Sequence, residues 1–442
     1  MRSCFKYLGI LLVLISGAEI QASNEFSLQQ AIDYALDNNP EIGIMQARID
    51  QANAELGESL AGFYPQIKAS LSYQHTDNPA QAFAMVISQR RLNMNGADFN
   101  HPGGVDNYRP QVTASYSLFR GGQDYYMSQA ARLGIETSEL EKIATRNQLI
   151  NHVTAAFYAY FAAQDAHKLS ERSIAAVQSE LQQTRAGFEA GTLLKSDVLS
   201  LEVQLAEVKD GQIQSGNAIE MAKAMLKTLL GLPAEQDFIL SDRDSQPLPT
   251  EPEVYEHLLT QAREKHPELK AIEKRAAIAE QYLSAARAAH LPKADAFVSY
   301  GSDSENLAYS TSRDNVTAGV MLEVDVFSGF STQEKIKKAE HQLTAAREAV
   351  RQMQLKIENQ VKVGRLKLIE ALNRGLVTSA SVQAAEEALR LVNEQRKAGV
   401  VTVTRYIEAE VARDRAITRD IAARYDALRA DAELKQATGY WN

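Results

Sequence analysis

The side chains able to do chemistry are few and poorly grouped. Eight histidines stand at positions 75, 101, 152, 167, 257, 266, 290 and 341, with no pair at metal-ligand spacing. His75, His101, Asp77 and Asp98 share one polar loop and could hold a cation, although loop polarity explains them better. There is one cysteine, Cys4, in a segment expected to be removed. The mature chain would then lack thiolate catalysis, zinc-thiolate sites and disulfides together. No serine nucleophile motif, phosphate loop or dinucleotide fingerprint is present, so no enzyme activity and no cofactor are expected. The net charge of −9 disfavours nucleic acid as a partner, and the Arg90-Arg91 pair is too short to change that.

Residues 1–22 read as a secretory signal. Arg2 and Lys6 precede the apolar run Leu8–Ile15, and small residues follow, with cleavage expected after Ala18 or Ala22. That run is too short to span a bilayer as a helix. No later stretch is apolar enough either. The periplasm, or an outer membrane entered as β-strands, remains.

The remaining 420-odd positions contain an internal repeat (roughly 27–232 and 251–439). Pro40-Glu41-Ile42 and Pro267-Glu268-Leu269 match at an offset of 227, which holds through Arg48/Arg275, Pro65/Pro292 and Tyr73/Tyr300. Beyond Phe119/Phe327 the offset is 208, kept by Ala190-Gly191/Ala398-Gly399 and Gly231/Gly439. The boundaries expected are 23–232 for the first repeat, 233–250 for a linker and 251–442 for the second.

Each copy should open with a short helix, capped by Ser27 and Gln30 in one and by Thr250 and Glu253 in the other. A second helix follows over 41–62 or 268–289. The period then changes to two, as Ile67, Ala69, Leu71 and Tyr73 alternate with polar neighbours. A polar loop and a second strand complete hairpins at about 66–119 and 293–327, the latter including Val324 and Val326. Next come two proline-free stretches, 123–187 and 330–396, each long enough for a helix of roughly 100 Å. Both end at a glycine break and return, in helical hairpins over 121–230 and 329–437, with Ser196 and Thr404 as expected caps. The first returning helix carries a coiled-coil seam through Val198, Leu201, Leu205, Val208, Gln212, Ser215, Ile219, Ala222, Leu226 and Leu229. In the second, Asp414 and Thr418 interrupt the pattern.

Strands of this length can cross an outer membrane when tilted, but four strands cannot close a membrane barrel, for which about eight are needed. If they span, several chains must share one barrel, because open edges in lipid leave backbone groups unpaired. A soluble hairpin with one buried face fits the alternation equally well.

The Asn39-Pro40-Glu41 and His266-Pro267-Glu268 openings, the Leu118-Phe119-Arg120-Gly121-Gly122 strand exit and Phe188-Glu189-Ala190-Gly191-Thr192, in this order, resemble the TolC-like family of outer-membrane efflux proteins. The resemblance covers nearly all of the mature sequence. It implies a mainly α fold with a small β part: an α-barrel tunnel of tandem-duplicated helical hairpins below a 12-stranded barrel shared by a homotrimer. It also implies a periplasmic adaptor and an inner-membrane transporter as partners, and a location in the outer membrane. The adaptor-contacting tips map to Ala190, Gly191, Thr192 and Leu193, and to Ala398, Gly399, Val400 and Val401. The family's periplasmic gate maps to Asp197, Arg396, Arg405 and Glu408. Arg405 departs from the pattern, a cation where an acid is expected. Asp197 would then pair with Arg396 or Arg405 to hold the gate shut. The alternative is a soluble periplasmic coiled-coil scaffold or adaptor.

Overall fold

A computed structural model of the chain describes residues 24–95, 98, 100–241 and 247–441; the expected signal segment and Cys4 lie outside them. A short strand, β1 (Asn24–Phe26), leads into α1 (Leu28–Asn38) and α2 (Pro40–Leu60). The expected capping box is formed: Ser27 Oγ accepts from the Gln30 N–H at 3.3 Å and Gln30 Oε1 from the Ser27 N–H at 2.9 Å. Pro40 fills the first turn of α2, where a missing N–H costs nothing. Asn39 caps that turn, accepting from the Glu41 N–H at 2.8 Å, and donates to the Leu229 carbonyl at 2.8 Å.

The hairpin strands are β2 (Gln66–Thr76) and β3 (Val105–Arg120). The loop between them, expected to be irregular, contains a helix, α3 (Pro79–Ser88). Asn78-Pro79 is a cap followed by a first-turn proline, not a loop signal: Asn78 Oδ1 accepts from the Ala80 and Gln81 N–H groups at 3.1 and 3.3 Å. Burial of Ala82 and Met85 stabilises the turn that follows.

Beyond Gly122 runs α4 (Gln123–Glu189), 67 residues without a break; at 1.5 Å per residue it spans about 100 Å. It returns through α5 (Lys195–Leu230), and β4 (Phe238–Leu240) pairs in parallel with β1. The order then runs again: α6 (Tyr255–Lys265), α7 (Pro267–Ala288), β5 (Lys293–Ser302), β6 (Asp314–Glu323), α8 (Ser331–Lys397) and α9 (Val403–Ala437). Here the expected cap fails. The first helix starts at Tyr255, after Val254, with no side-chain cap. Pro247, Pro249 and Pro252 favour an extended approach, which moves the start past Thr250 and Glu253.

The returning helices are about half the length of α4 and α8. Below, α4 packs on α5 and α8 on α9; above, α2 and α7 take their places along α4, and α7 along α8. The two hairpins meet where α4 packs against α9, which leaves α5 and α8 as outer edges. Every position of the predicted α5 seam is buried or half-buried, with Leu201 and Leu226 fully enclosed. Midway along the helices, Phe26, Leu149, Phe157, Leu230 and Tyr425 form the largest apolar cluster.

The strands make one antiparallel sheet in the order β2-β3-β5-β6. Its register brings Ile67 opposite Ala114, Ala114 opposite Val298, and Val298 opposite Ala318. One face therefore carries Ile67, Leu71, Val112, Val298, Val316, Val320 and Leu322, all exposed. The other face carries Lys68, Ser70, Thr113, Ser299, Asp295 and Thr317. The second hairpin stops earlier than expected, since Val324 and Val326 lie beyond β6. Lys293 opposite Glu323 is the last pair, and Pro292 before it has no N–H to continue the ladder.

At the junction of sheet and helices, Gly121 has φ +65°, and a Cβ there would sit 2.5 Å from the Ala288 carbonyl oxygen. Gly399 has φ +74° with open space around it. Gly399→Ala should therefore cost only the left-handed conformation, about 1–2 kcal/mol. Gly121→Ala adds a backbone collision and should lower the thermal midpoint of the detergent-solubilised protein further. Equal shifts would contradict the close packing of α7 on the strand exit.

Candidate gate and docking tip

Both hairpins turn on the same device. Gly191 and Gly399 adopt φ +77° and +74°, a region that costs glycine nothing. Around them the last helical carbonyls are recovered: the Thr192 N–H reaches Gly187 O and the Val400 N–H reaches Gln395 O, each at 2.9 Å. Ala190, Gly191, Thr192, Ala398, Gly399 and Val400 are exposed at the turns. Leu193 and Val401, equivalent in the repeat, are only half-exposed. Leu193 folds back so closely that a Cβ on Gly187 would lie 2.7 Å from its Cδ1, and Val401 packs beside Leu389, Val392 and Tyr406.

Neither returning helix starts where expected. Leu194 and Thr402 hold the cap positions, not Ser196 and Thr404. Asp197 Oδ2 accepts from the Leu194 N–H at 3.3 Å, which also places a carboxylate at the positive end of α5. On α9, Thr402 Oγ1 accepts from the Arg405 N–H at 3.4 Å. Arg405 is a cation at that same end of its helix, an unfavourable place for charge. Its Nη1 meets Glu408 Oε2 at 3.0 Å, and both side chains are exposed.

The expected pairing of Asp197 with Arg396 or Arg405 is not made within the chain. Asp197 is occupied as a helix cap, and Arg396 points across the seam between hairpins to α4. There it forms an ion pair with Glu180 and donates to Thr184 Oγ1 at 3.0 Å. The pair is largely enclosed, with side-chain exposures of 14% and 12%. The guanidinium also lies 5.9 Å from the centroid of the Tyr406 ring. Burial, then the neighbouring Glu410 and Glu180 carboxylates, pushes the Tyr406 phenol well above its usual range. Glu180 and Thr184 were not found from the sequence. Their only signal is helical spacing with Val177 and Leu181, which marks the buried side of α4.

The loop histidines are satisfied locally. His75 Nδ1 lies 2.8 Å from Asp106 and His101 Nδ1 3.0 Å from Asp98. Among the described residues no group of three or more potential ligands could hold a metal ion. None of their helices is long and apolar enough to cross a membrane.

The outer membrane efflux protein family model matches residues 31–232 and 258–440. The chain belongs to the outer membrane efflux protein family. CyaE of Bordetella pertussis is 28% identical over 322 residues, covering 72% of this chain and 63% of CyaE. The outer membrane protein TolC of Vibrio cholerae is 22% identical over 418 residues, covering 93% and 90%. The solved structure of the Campylobacter jejuni CmeC outer membrane channel superposes with a TM-score of 0.80 at 15% identity, covering 93% of this chain and 85% of CmeC.

This efflux protein is accordingly an outer-membrane protein with a periplasmic helical tunnel. The apolar face of its sheet is exposed, and the long helices lead away from it toward the two tips. Between the tips and the middle of the tunnel, Arg396 with Glu180 ties hairpin to hairpin. Breaking such an enclosed pair from one side strands a buried charge at about 3 kcal/mol. Arg396→Ala should accordingly speed amide exchange around 177–184 and 392–403 on the order of a hundredfold. Arg405→Ala removes only an exposed pair worth under about 1 kcal/mol and should leave exchange there nearly unchanged. The reverse ranking would show that the pair does not hold the seam.

Proposed function

We propose that this protein is the exit duct of a tripartite efflux or type I secretion system, a passive conduit fed by an inner-membrane transporter through a periplasmic adaptor. The carrying observation is the sheet: one continuous exposed apolar face on four strands, with β2 and β6 unpaired at its edges. In hydrocarbon those edges must find partners. Three copies would place β6 of one against β2 of the next and close a shared 12-stranded barrel.

The helices support edge-to-edge assembly independently. The outer edge of α5 exposes Leu199, Val203, Ile213 and Met221, and that of α8 exposes Leu355, Leu366, Leu376 and Leu391. Joining α5 of one copy to α8 of the next buries both stripes as the tunnel wall closes. A soluble scaffold would leave both the sheet face and these stripes in water. The exposed residues of the two glycine turns then form the adaptor-docking surface, and Arg405 and Glu408 line the periplasmic constriction as a mutually neutralised pair. Substrates are selected by bore and lumen charge, and the duct itself carries out no covalent step.

Met221→Glu and Leu376→Glu should each shift the purified protein from trimer to monomer on native gels. Retention of the trimer in both would refute this edge pairing. In planar bilayers, Arg405→Ala should raise cation preference and Glu408→Ala should lower it. Unchanged selectivity in both would remove the pair from the constriction. Recovery of the protein wholly in the soluble periplasmic fraction would end the conduit reading.

A further inference from the structure

About two helical turns above the Arg396–Glu180 pair lies a second polar group in the seam between hairpins. Ser173 on α4 and Glu410 on α9 are each only 1% exposed. Ser173 Oγ donates to Asp414 Oδ2 at 2.6 Å, a bond that crosses from one hairpin to the other. Arg413 Nη2 donates to Glu410 Oε1 and to Asp414 Oδ1, both at 2.6 Å, and Arg413 Nε donates to Asp414 at 3.0 Å. Asp414 is the residue that interrupts the apolar pattern of α9, and the crossing bond is what it does there. Glu410 is different, since among the described residues its bonds stay on α9, with Arg413 and Tyr406. Two carboxylates thus share one guanidinium, with Glu410 enclosed while Arg413 and Asp414 are partly exposed.

We propose that Glu410 makes the seam between the two hairpins proton-controlled: uncharged, it lets α4 and α9 close fully; charged, it favours their separation in the periplasmic part of the tunnel. This rests on the conduit reading for its meaning, although not for its test.

The charges around Glu410 make it the responsive group. On α9 its neighbours are Arg413, Asp414 and Tyr406. Across from Tyr406 stand Glu180 of α4 and Arg396 of α8, already paired to one another. Asp165, Lys168 and Arg172 of α4, Glu386 of α8, and Asp420 and Arg424 of α9 line the groove that holds Arg413. From α5, Leu201 and Leu205 close the adjoining apolar cluster. Burial pushes the Glu410 carboxyl upward and Asp414 adds to this, while Arg413 opposes. A carboxyl raised in the folded state contributes fully at low pH, and that contribution is lost as pH rises through the folded value. Mild acid should therefore tighten the seam and neutral to alkaline conditions loosen it. The Ser173–Asp414 bond sets the geometry on which the switch acts.

Amide protection of 169–184 and 403–414, corrected for intrinsic exchange, tests this in the full-length protein in lipid nanodiscs. Between about pH 5 and about pH 8, wild-type protection should fall on the order of tenfold, within the usual range for coupling between two sites. Glu410→Gln should be flat across that range at the acid-side level. Ser173→Ala should be poorly protected throughout. A flat wild-type profile overturns the proposal, and that result stands even if a variant fails to assemble. An unaltered pH response in Glu410→Gln also overturns it. Single-channel recording separates the two readings: a pH-responsive seam in a protein that passes no current refutes the conduit and retains the switch.

Discussion

Backbone hydrogen bonding in hydrocarbon governs this molecule. A strand in lipid has no water to satisfy its N–H and C=O groups, and each one left unpaired costs several kcal/mol. The chain supplies four strands with an apolar outer face, and it leaves β2 and β6 open. The sheet is therefore incomplete by construction, and so is the helical layer beneath it. With α5 and α8 as outer edges, both ends of one protomer present apolar stripes of matching kind. Assembly is the condition under which the sheet can enter a membrane at all.

The same condition explains how the long helices are used. A 67-residue helix cannot be stabilised by one compact core, so α4 has a succession of partners: α2 and α7 in its upper part, α5 and α9 in its lower part. The largest apolar cluster sits where these partners change. Toward the tips the seam between hairpins gains polar contacts, through Ser173 with Asp414 and then Glu180 with Arg396. Polar contacts across a seam confer less adhesion than apolar ones but demand a defined geometry, and breaking them has a large local cost. The seam is therefore mixed, since Val177, Leu181 and Leu201 of one hairpin also meet Val403 of the other between the two polar groups.

Arg405 and Glu408 show how a substitution in the sequence changes the chemistry of one position without changing its place. The repeat puts Asp197 and Arg405 at equivalent sites. The acid is absorbed as a helix cap, whereas the cation turns to a glutamate one turn along its own helix. The constriction proposed for this channel is consequently built from balanced charge.

Much of the architecture was legible because it depends on local periodicity. The alternation of β2, the glycine breaks, the proline-free helices and the α5 seam each follow from spacing along a few turns, and the repeat supplies the hairpin strands and the long helices twice. What was misread lay at ends: the caps at Leu194 and Thr402, the start of α6 after Val254, and the stop of β6 at Glu323. Ends are decided by which groups remain unpaired, and for β6 that depended on Pro292, just before its partner strand β5. The helix α3 was hidden because Asn78-Pro79 serves equally as a cap or as a turn. The crossing contacts were beyond any local rule, since Glu180 and Arg396 are 216 residues apart and Ser173 and Asp414 are 241 apart. The sequence by itself determined which faces are apolar, where the chain must turn and that four strands cannot close a membrane barrel alone. Only the tertiary structure decided which charges meet, because side chains from separate hairpins are brought together by the packing of α4 on α9.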